Sequence, residues 1–350
     1  MRFRLFSNDL GVDLGTANVL IFEAGKGIVV REPSVVAMDK NTSKILKVGA
    51  EARNMLGRTP GNIVAMHPLR DGVISDHEMT VEMLKALFRQ ASNDSLFAQF
   101  SPKPRVVICV PSGVTEVEER TVINAAIDAG ARRVYLIEEP LAAALGAGLD
   151  ISGPKGQMIV DIGAGTTDVA VLCLSGVAVS SSLKLAGDAM DEAIVWFVRR
   201  KYGTVIGLST AEDIKIQIGS VYPRPEEISM NVKGRDAKTG MPKEITLTSS
   251  EISEPLGICA KQIGDKVRAV LEEASPELVS DIYENGITLT GGGSQVWGMD
   301  KMLSERTGVL CTVADDADSC VAYGCGKSLA WINQMQEGPI NIARKRIMRS

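Results

Sequence analysis

The sequence contains few aromatic residues, few histidines and no paired cysteine motif. Aromatic residues account for 4% of 350 positions, and there are two histidines and six cysteines. None of the cysteines forms a CxxC pair, which argues against a structural zinc site. We interpret the cysteines as reduced, buried side chains. Because aromatic residues are scarce, we expect the core to consist mainly of valine, isoleucine, leucine and alanine.

The chain also has no excess of positive charge and no long apolar segment. It carries 38 lysines and arginines against 43 aspartates and glutamates, which gives a net charge of −5. We expect no nucleic-acid partner, because nucleic-acid binding needs concentrated positive charge. No run approaches the roughly 18 apolar residues of a membrane span, and the N-terminus lacks the apolar segment of a signal peptide. These absences predict a cytoplasmic protein.

Glycine and alternating strand and helix patterns dominate what is present. The chain has 34 glycines. Apolar residues 106–110 predict a buried strand, and residues 134–137 predict another. Between them lies a predicted helix that begins with a capping box. We expect that helix to bury Ile123, Ala126 and Ile127. This alternation predicts an α/β fold.

One structural pattern occurs twice. Each copy consists of a short apolar strand ending in aspartate, a tight loop of small and polar residues, and a second apolar strand. The two aspartates, Asp13 and Asp161, lie 148 residues apart. Because the match includes the strands on both sides of the loop, we interpret the chain as two related halves. Residues 150–156 are rich in turn formers and form the predicted hinge.

The loops of this repeat have the composition of a phosphate-binding site. Backbone N–H groups reach a phosphate only where side chains are small and the chain turns tightly. The residues concerned are Gly15, Thr16 and Asn18 in the first loop and Gly163, Ala164, Gly165 and Thr166 in the second. The first loop alone also fits an ordinary hairpin turn. Together the two loops favour a nucleotide, with Asp13 and Asp161 holding a hydrated Mg²⁺.

Three further motifs each allow two interpretations. Thr290-Gly-Gly-Gly-Ser294 either lets a flat ring or a ribose pack against bare backbone or forms a flexible turn. Glu212 and Lys215, three residues apart on a predicted helix, either hold a ribose or form a surface ion pair. Glu139 follows a strand and begins a helix, at the sheet edge where α/β proteins collect ligands. It either caps that helix or orients a water for attack on a phosphate.

The combination of these motifs, in this order, resembles the actin, Hsp70 and sugar-kinase superfamily. Within it, the sequence is similar to the bacterial actins of the MreB type, including their Mbl-like paralogues, over about residues 8 to 335. The matching stretches are Asp13-Leu-Gly-Thr-Ala-Asn18, Gly27-Ile-Val-Val-Arg-Glu-Pro-Ser34, Arg70-Asp-Gly-Val-Ile74, Glu138-Glu-Pro-Leu-Ala-Ala-Ala144, Gly187-Asp-Ala-Met-Asp-Glu-Ala193 and Pro276-Glu-Leu-Val-Ser-Asp281.

The resemblance implies a duplicated α/β fold of the actin-like (ribonuclease H-like) kind, with two domains around a nucleotide cleft. Domain I is expected to comprise residues 1–153 and 325–350, with a small subdomain at about residues 34–75. Domain II is expected to comprise residues 154–324, with a small subdomain at about residues 190–252.

The resemblance also implies an activity. Family members bind ATP with Mg²⁺, couple ATP hydrolysis to assembly into double protofilaments, and attach to the inner face of the cytoplasmic membrane. There they act with the cell-wall elongation machinery to maintain rod shape. The expected partners are therefore other copies of this chain, the membrane surface and that machinery.

Residue roles follow from the same resemblance. The phosphates are expected to contact Thr16, Ala17 and Asn18 and, from the second loop, Ala164, Gly165 and Thr166. The nucleoside is expected to contact Gly187, Glu212, Asp213, Ile214, Lys215, Thr290, Gly291, Gly292 and Gly293. Glu139 matches the catalytic glutamate that orients the attacking water, and Thr166 would hold the same water.

Three residues depart from the usual family pattern. Ala164 stands where a glycine is common, Asp168 where a glutamate is common, and Asp213 where a basic residue is frequent. Alanine is tolerated at position 164 only if its φ is negative. These departures affect the expected nucleotide affinity and hydrolysis rate rather than the fold.

Two surfaces are expected to make contacts outside the nucleotide site. Val117 matches a helix that joins antiparallel protofilaments. The membrane is expected to contact apolar residues in a loop and at the N-terminus, namely Leu96, Phe97, Phe100, Phe3, Leu5 and Phe6. They could instead pack on the domain itself.

The same sequence leaves rival functions open. A scaffold that binds a nucleotide without hydrolysing it would have the same fold and the same loops. A small-molecule kinase would need a substrate pocket and a catalytic base, for which we recognise no spare domain. An Hsp70-type chaperone would need a further peptide-binding domain.

Overall fold

The computed structural model describes residues 9–92 and 103–331. They form two compact units. The first unit contains the described parts of residues 1–155, 172–178 and 318–350, and the second contains residues 156–171 and 179–317. Within the described ranges, no helix has the length and apolar character needed to cross a membrane. The four-part division into domains and small subdomains stays a prediction.

Residues 9–92 and 103–146, the described part of the first half, supply ten strands and four α-helices. The strands are β1 (Leu10–Leu14), β2 (Asn18–Glu23), β3 (Gly27–Pro33), β4 (Val36–Asp39), β5 (Lys44–Val48), β6 (Ile63–Met66), β7 (Leu69–Arg70), β8 (Val73–Ile74), β9 (Arg105–Val110) and β10 (Arg133–Glu138). The helices are α1 (Ala50–Arg53), α2 (His77–Ala91), α3 (Glu116–Asp128) and α4 (Glu139–Gly146).

In the second half, the described residues up to 331 supply eight strands and six α-helices. The strands are β11 (Gln157–Ile162), β12 (Thr167–Cys173), β13 (Gly176–Leu183), β14 (Thr204–Val205), β15 (Ser229–Asp236), β16 (Pro242–Thr248), β17 (Ile287–Thr290) and β18 (Cys311–Val313). The helices are α5 (Gly187–Tyr202), α6 (Leu208–Ile218), α7 (Ser249–Glu273), α8 (Pro276–Asn285), α9 (Met299–Thr307) and α10 (Cys320–Ser328).

The two five-stranded sheets have the same strand order. One runs β10-β9-β1-β2-β3 and the other runs β18-β17-β11-β12-β13. In each, a hairpin adjoins two parallel strands: β1 is antiparallel to β2 and parallel to β9, and β11 is parallel to β17. The structure therefore confirms the interpretation of the chain as two related halves. It also places Asp13 and Asp161 at equivalent positions on the central strands β1 and β11.

The central strands are almost wholly buried because helices pack against the sheets. In the first unit, α10 packs against β1 and β2 and runs beside α4. Two glycines allow these helices to approach closely. A Cβ at Gly324 would collide with the carbonyl oxygen of Ala142, and a Cβ at Gly146 would collide with that of Cys320. Aliphatic residues form most of this core, as the composition predicts, and one aromatic pair joins the helix to the sheet: Phe22 on β2 and Tyr323 on α10 meet edge to face, with ring centroids 6.2 Å apart.

The predicted buried face of α3 is wrong by one residue. The capping box at Thr115 is present, but the buried face consists of Val122, Ala125 and Ala126. Ile127 is 41% exposed. The helix packs against α2 and β10 through Val122, Ala125 and Ala126, and Ile123 is partly buried against the same core. Periodicity alone does not distinguish these two faces, because both carry apolar residues.

A largely buried ion pair ties β9 to the start of β1. Arg105 donates from Nε to Oδ1 of Asp9 at 2.8 Å and from a terminal nitrogen to Oδ2 at 2.5 Å. Its hydrogen bonds to Asp9 raise the pKa of Arg105, which burial opposes. A bidentate pair of this kind sets the register between the two strands.

We expect Arg105→Met to lower the free energy of unfolding by about 3–5 kcal/mol, because it removes the charge that compensates a buried carboxylate. The matched control is Arg268→Met, which breaks an exposed helical pair with Glu272 and is expected to cost less than about 1 kcal/mol. Urea unfolding of both variants measures the difference. Equal losses would contradict a special role for the buried pair.

Candidate functional site

The first loop presents its amides because its carbonyl groups are occupied. The hydroxyl of Ser34 donates to the carbonyl oxygen of Gly15 at 2.6 Å. The backbone N–H of Ser34 donates to the carbonyl oxygen of Ala17 at 2.8 Å. Nδ1 of His67 lies 3.3 Å from the carbonyl oxygen of Thr16. In a planar trans peptide, the C=O and the following N–H point in opposite directions. The N–H groups of residues 16–18 therefore point away from Ser34 and His67.

Small residues are required in this loop. A Cβ at Gly15 would lie 2.8 Å from the carbonyl oxygen of Asn18, so a larger residue would force the turn open. Thr16 is buried, and its hydroxyl accepts a hydrogen bond from the N–H of Gly72 at 3.2 Å. Asn18 is exposed. The loop is thus a fixed turn, as a phosphate cradle requires.

The second loop is held in the same way by the start of α5. The N–H of Gly187 donates to the carbonyl oxygen of Gly163 at 3.2 Å, and that of Asp188 donates to Ala164 at 2.8 Å. By the same planar-peptide argument, the N–H groups of Ala164 and Gly165 point away from α5. Ala164 is not among the described non-glycine residues with positive φ. The alanine is therefore accommodated without strain, as the sequence required.

Asp161 lies at the end of β11 and is only 6% exposed. Thr290 on the parallel neighbour β17 is its register partner, and the Thr290 hydroxyl donates to its carboxylate at 2.6 Å. Burial raises the pKa of Asp161 to about 6, and the hydrogen bond from Thr290 opposes this rise. The hydroxyl of Thr290 is thus used to hold Asp161, and the contact of Thr290 with a nucleoside stays a prediction.

The glycines after Thr290 pack against β11. A Cβ at Gly291 or Gly293 would collide with Ile162, and Gly291 has a φ of +80°. Residues 292–295 form a 3₁₀ turn, so the segment is regular rather than a flexible turn. Gly292 has open space around it. It is therefore the glycine of this run that a ligand can approach.

Lys215 forms a largely buried ion pair with Asp191 on α5. Its ammonium donates to the carbonyl oxygen of Gly187 at 2.9 Å and to the carboxylate of Asp191 at 2.8 Å. Burial raises the pKa of Asp191 to about 6, and Lys215 opposes this rise. The surface ion-pair interpretation is therefore wrong. Of the other two predicted nucleoside residues on α6, Asp213 is exposed and Ile214 is buried in the core.

The first unit brings a thiol and two carboxylates together. Sγ of Cys109 lies 3.5 Å from Oδ1 of Asp13 and 4.0 Å from Oε1 of Glu139. The hydrogen bond with Cys325 raises the pKa of the Cys109 thiol well above its ordinary value, and burial and Asp13 add to this. Cys109 therefore stays protonated and donates to a carboxylate. The N-cap position of α4 is occupied by Glu138 and not by Glu139. The Glu138 side chain makes no capping hydrogen bond with the helix.

In the sequence, Cys109 has only the pattern of a small apolar residue in a buried strand. The available signal was its place next to the end of β9. The carboxyl ends of neighbouring parallel strands lie at one sheet edge, so Cys109 falls beside the aspartate of β1 and the glutamate after β10. A residue in such a position lines a site even when its side chain is unremarkable.

The acidic residues fit a hydrated Mg²⁺ better than a metal held by protein alone. Residues 9–92 and 103–331 contain no group of three or more His, Cys, Asp or Glu side chains that would hold a metal ion. Mg²⁺ usually retains several waters and takes one or two carboxylates together with substrate phosphates. A single carboxylate beside each amide-bearing loop matches this requirement.

Of the residues predicted to make contacts outside the nucleotide site, only Val117 lies in the described part of the chain. Val117 is 74% exposed on α3. The membrane residues Phe3, Leu5, Phe6, Leu96, Phe97 and Phe100 lie outside the described residues.

We expect Asp161→Asn to stabilise the ligand-free protein by about 3 kcal/mol at pH 7.5, because ionising Asp161 in the fold is unfavourable. The folded pKa is raised from 3.8 to about 6, so the cost is absent below pH 3.8, grows up to pH 6 and is complete above it. The advantage of asparagine should therefore shrink at pH 4.5. Urea unfolding at both pH values checks this, and an equal advantage at both would contradict it.

Comparison with known proteins finds relatives that match nearly the whole chain. The sequence profile of the MreB/Mbl protein family matches residues 7–337. The cell shape-determining protein MreB of Escherichia coli K12 is 50% identical over 337 residues, covering 95% of this chain and 96% of that protein. The cell shape-determining protein Mbl of Bacillus cereus is 48% identical over 331 residues, covering 95% and 98%.

Solved structures show the same fold. The crystal structure of MreB5 of Spiroplasma citri bound to AMPPNP matches with a TM-score of 0.87 and 39% identity, covering 93% of this chain and 96% of that one. The ADP-bound structure of the same protein matches with the same TM-score. The fold is therefore actin-like, and this chain belongs to the MreB/Mbl protein family.

Proposed function

We propose that this protein binds ATP with Mg²⁺, hydrolyses it, and assembles into filaments that serve a cell-shape role. One observation carries the proposal: in each unit, the carbonyl groups of a tight loop are bonded to the protein, so that adjacent amides point away. Such amides recognise phosphate oxygens. The relatives named as cell shape-determining proteins, and the solved relative that binds AMPPNP and ADP, support the proposal.

The nucleotide contacts follow from the two loops. The amides of residues 16–18 and those of Ala164 and Gly165 bind phosphate oxygens. Asp13 and Asp161 hold Mg²⁺ through its waters, and the ion neutralises phosphate charge when bound. In the second unit, Glu212, Lys215 and the open side of Gly292 lie on elements that hold the nucleoside.

Hydrolysis needs a positioned water and charge stabilisation more than covalent chemistry. Glu139 is the candidate that accepts a hydrogen bond from the attacking water. It is buried at the first turn of α4, and the Cys109 thiol lies between its carboxylate and that of Asp13. The thiol has one weak S–H donor, so it can donate to only one of these two carboxylates at a time. Thr166, buried in the second loop, is proposed to hold the same water.

We expect Glu139→Ala to keep ATP binding and filament formation while lowering phosphate release by about 10²-fold, because the water loses its acceptor. The neighbouring control, Glu138→Ala, should act mainly on stability. Sedimentation with and without ATP, measured alongside phosphate release, separates assembly from hydrolysis. Unchanged phosphate release from Glu139→Ala filaments would favour a scaffold that binds nucleotide without hydrolysing it.

Self-assembly is proposed to use α3. Val117 stands exposed between Glu116 and Glu118, so a symmetric contact would bury it against its counterpart in a second copy. Membrane contact is proposed for the apolar residues 96, 97 and 100 and for residues 3, 5 and 6. Repetition along a filament would strengthen weak individual membrane contacts through avidity.

We expect Val117→Glu to leave nucleotide binding unchanged but to separate paired filaments into single ones. Two additional like charges would meet across the symmetric contact. The control is Leu310→Glu, which places the same charge at another exposed apolar position. Electron microscopy distinguishes the outcomes. Paired filaments in the Val117 variant would contradict the proposed contact.

A further inference from the structure

Helix α5 begins without a side-chain cap, and the second loop takes over that function. The cap position is Ala186, which has no side chain capable of capping. The first two helical amides, of Gly187 and Asp188, donate to the carbonyl oxygens of Gly163 and Ala164. Any displacement of the start of α5 therefore moves the second loop, because the two are joined by a pair of hydrogen bonds.

Lys215 reaches the same point from α6. Its ammonium bonds to the carbonyl oxygen of Gly187 and to the carboxylate of Asp191, one turn further along α5. The junction is tightly packed. A Cβ at Gly187 would lie 3.1 Å from Nζ of Lys215 and 3.3 Å from the carbonyl oxygen of Gly163. Three elements of the second unit therefore meet at Gly187: the second loop, the start of α5 and the Lys215 side chain.

The Lys215–Asp191 pair is fixed by burial as well as by hydrogen bonds. Both side chains are largely inaccessible to solvent. Two of the three N–H donors of the ammonium are used at the junction, so the carbonyl of Gly187 and the carboxylate of Asp191 define where the ammonium lies. A buried ammonium group that donates to two fixed acceptors has little freedom to move, in contrast to the exposed lysines of this unit.

We propose that Lys215 is a positioning residue for the second phosphate loop, acting on it through the first turn of α5. This rests on the proposed function, in which that loop binds phosphates. It goes beyond a nucleoside contact, because Lys215 then contributes to phosphate binding without touching a phosphate. Helix α6 and the phosphate loop respond together when a nucleotide binds.

The two roles of Lys215 predict different ligand dependence. If Lys215 only contacts the nucleoside, Lys215→Met lowers the affinities for ATP and for AMP by the same factor. If Lys215 positions the loop, the variant lowers the affinity for ATP by at least about tenfold and the affinity for AMP by less than about threefold. Competition against a fluorescent ATP analogue measures both ligands. Equal losses for ATP and AMP would overturn the proposal.

The matched control is Lys201→Met. Lys201 is also on the second unit and forms an ion pair, with Glu251, but it bridges α5 to the start of α7 rather than to the loop. The affinities of the Lys201→Met variant for ATP and AMP should match those of the unmodified protein. If the unmodified protein binds neither ligand, the proposed nucleotide function fails, which is a different result from equal losses in Lys215→Met.

Two further variants separate positioning from a folding defect. Lys215→Arg keeps the charge and should recover part of the ATP affinity that methionine loses. Asp191→Asn keeps a hydrogen-bond acceptor but removes the charge that holds the ammonium. Two results together would show that Lys215 does not act through this junction: Lys215→Arg fails to recover ATP affinity, and Asp191→Asn fails to reduce it.

The pH dependence gives an independent readout. The groups that face Asp191 are Lys215 and Glu212 on α6 and Asp188 on α5. Protonation of Asp191 as the pH falls through about 6 removes the charge opposite Lys215. ATP affinity of the unmodified protein should therefore fall between pH 7.5 and 5.5 by more than that of Asp191→Asn. The variant supplies the baseline for protonation of ATP itself, and identical profiles would count against the junction.

Discussion

The site depends on hydrogen bonds that occupy the carbonyl groups of two tight loops. A peptide group is planar, so fixing its C=O also fixes the direction of the next N–H. In the first loop the donors are Ser34 and the His67 ring, and in the second they are the first amides of α5. The two halves of the chain thus reach one chemical result with different partners. The direction of the amides in each loop is fixed only while those partners remain in place.

This arrangement explains why the sheets are conserved between the halves while the surrounding elements differ. The same strand order puts an aspartate at the end of each central strand and a hairpin loop beside it. The residues that occupy the loop carbonyls come from elsewhere: Ser34 after β3 and His67 after β6 in one unit, and the start of α5 in the other. The duplication therefore supplies the framework, and later elements adapt each loop to its place.

The acidic residues of the second unit are held at a cost in stability. Burial raises the pKa of both Asp161 and Asp191 to about 6, although each has a hydrogen-bond donor. Each carboxylate is thus kept in its charged form at neutral pH against the effect of burial. Such strain is common where a residue is retained for binding rather than for folding. Thr290 and Lys215 limit the cost and fix the orientation of each carboxylate.

Local patterns in the sequence determined the α/β class, the strand, loop and strand repeat, the capping box at Thr115 and the two glycine-containing loops. These features depend on neighbours within a few residues, so the chain shows them directly. Tertiary structure alone decided that Lys215 pairs with Asp191, that Thr290 holds Asp161, that Cys109 joins two carboxylates, and that α3 buries alanines instead of Ile127. Each of these outcomes depends on which strand or helix lies alongside, and residues that meet across 24 to 129 positions leave no periodic signal in the sequence.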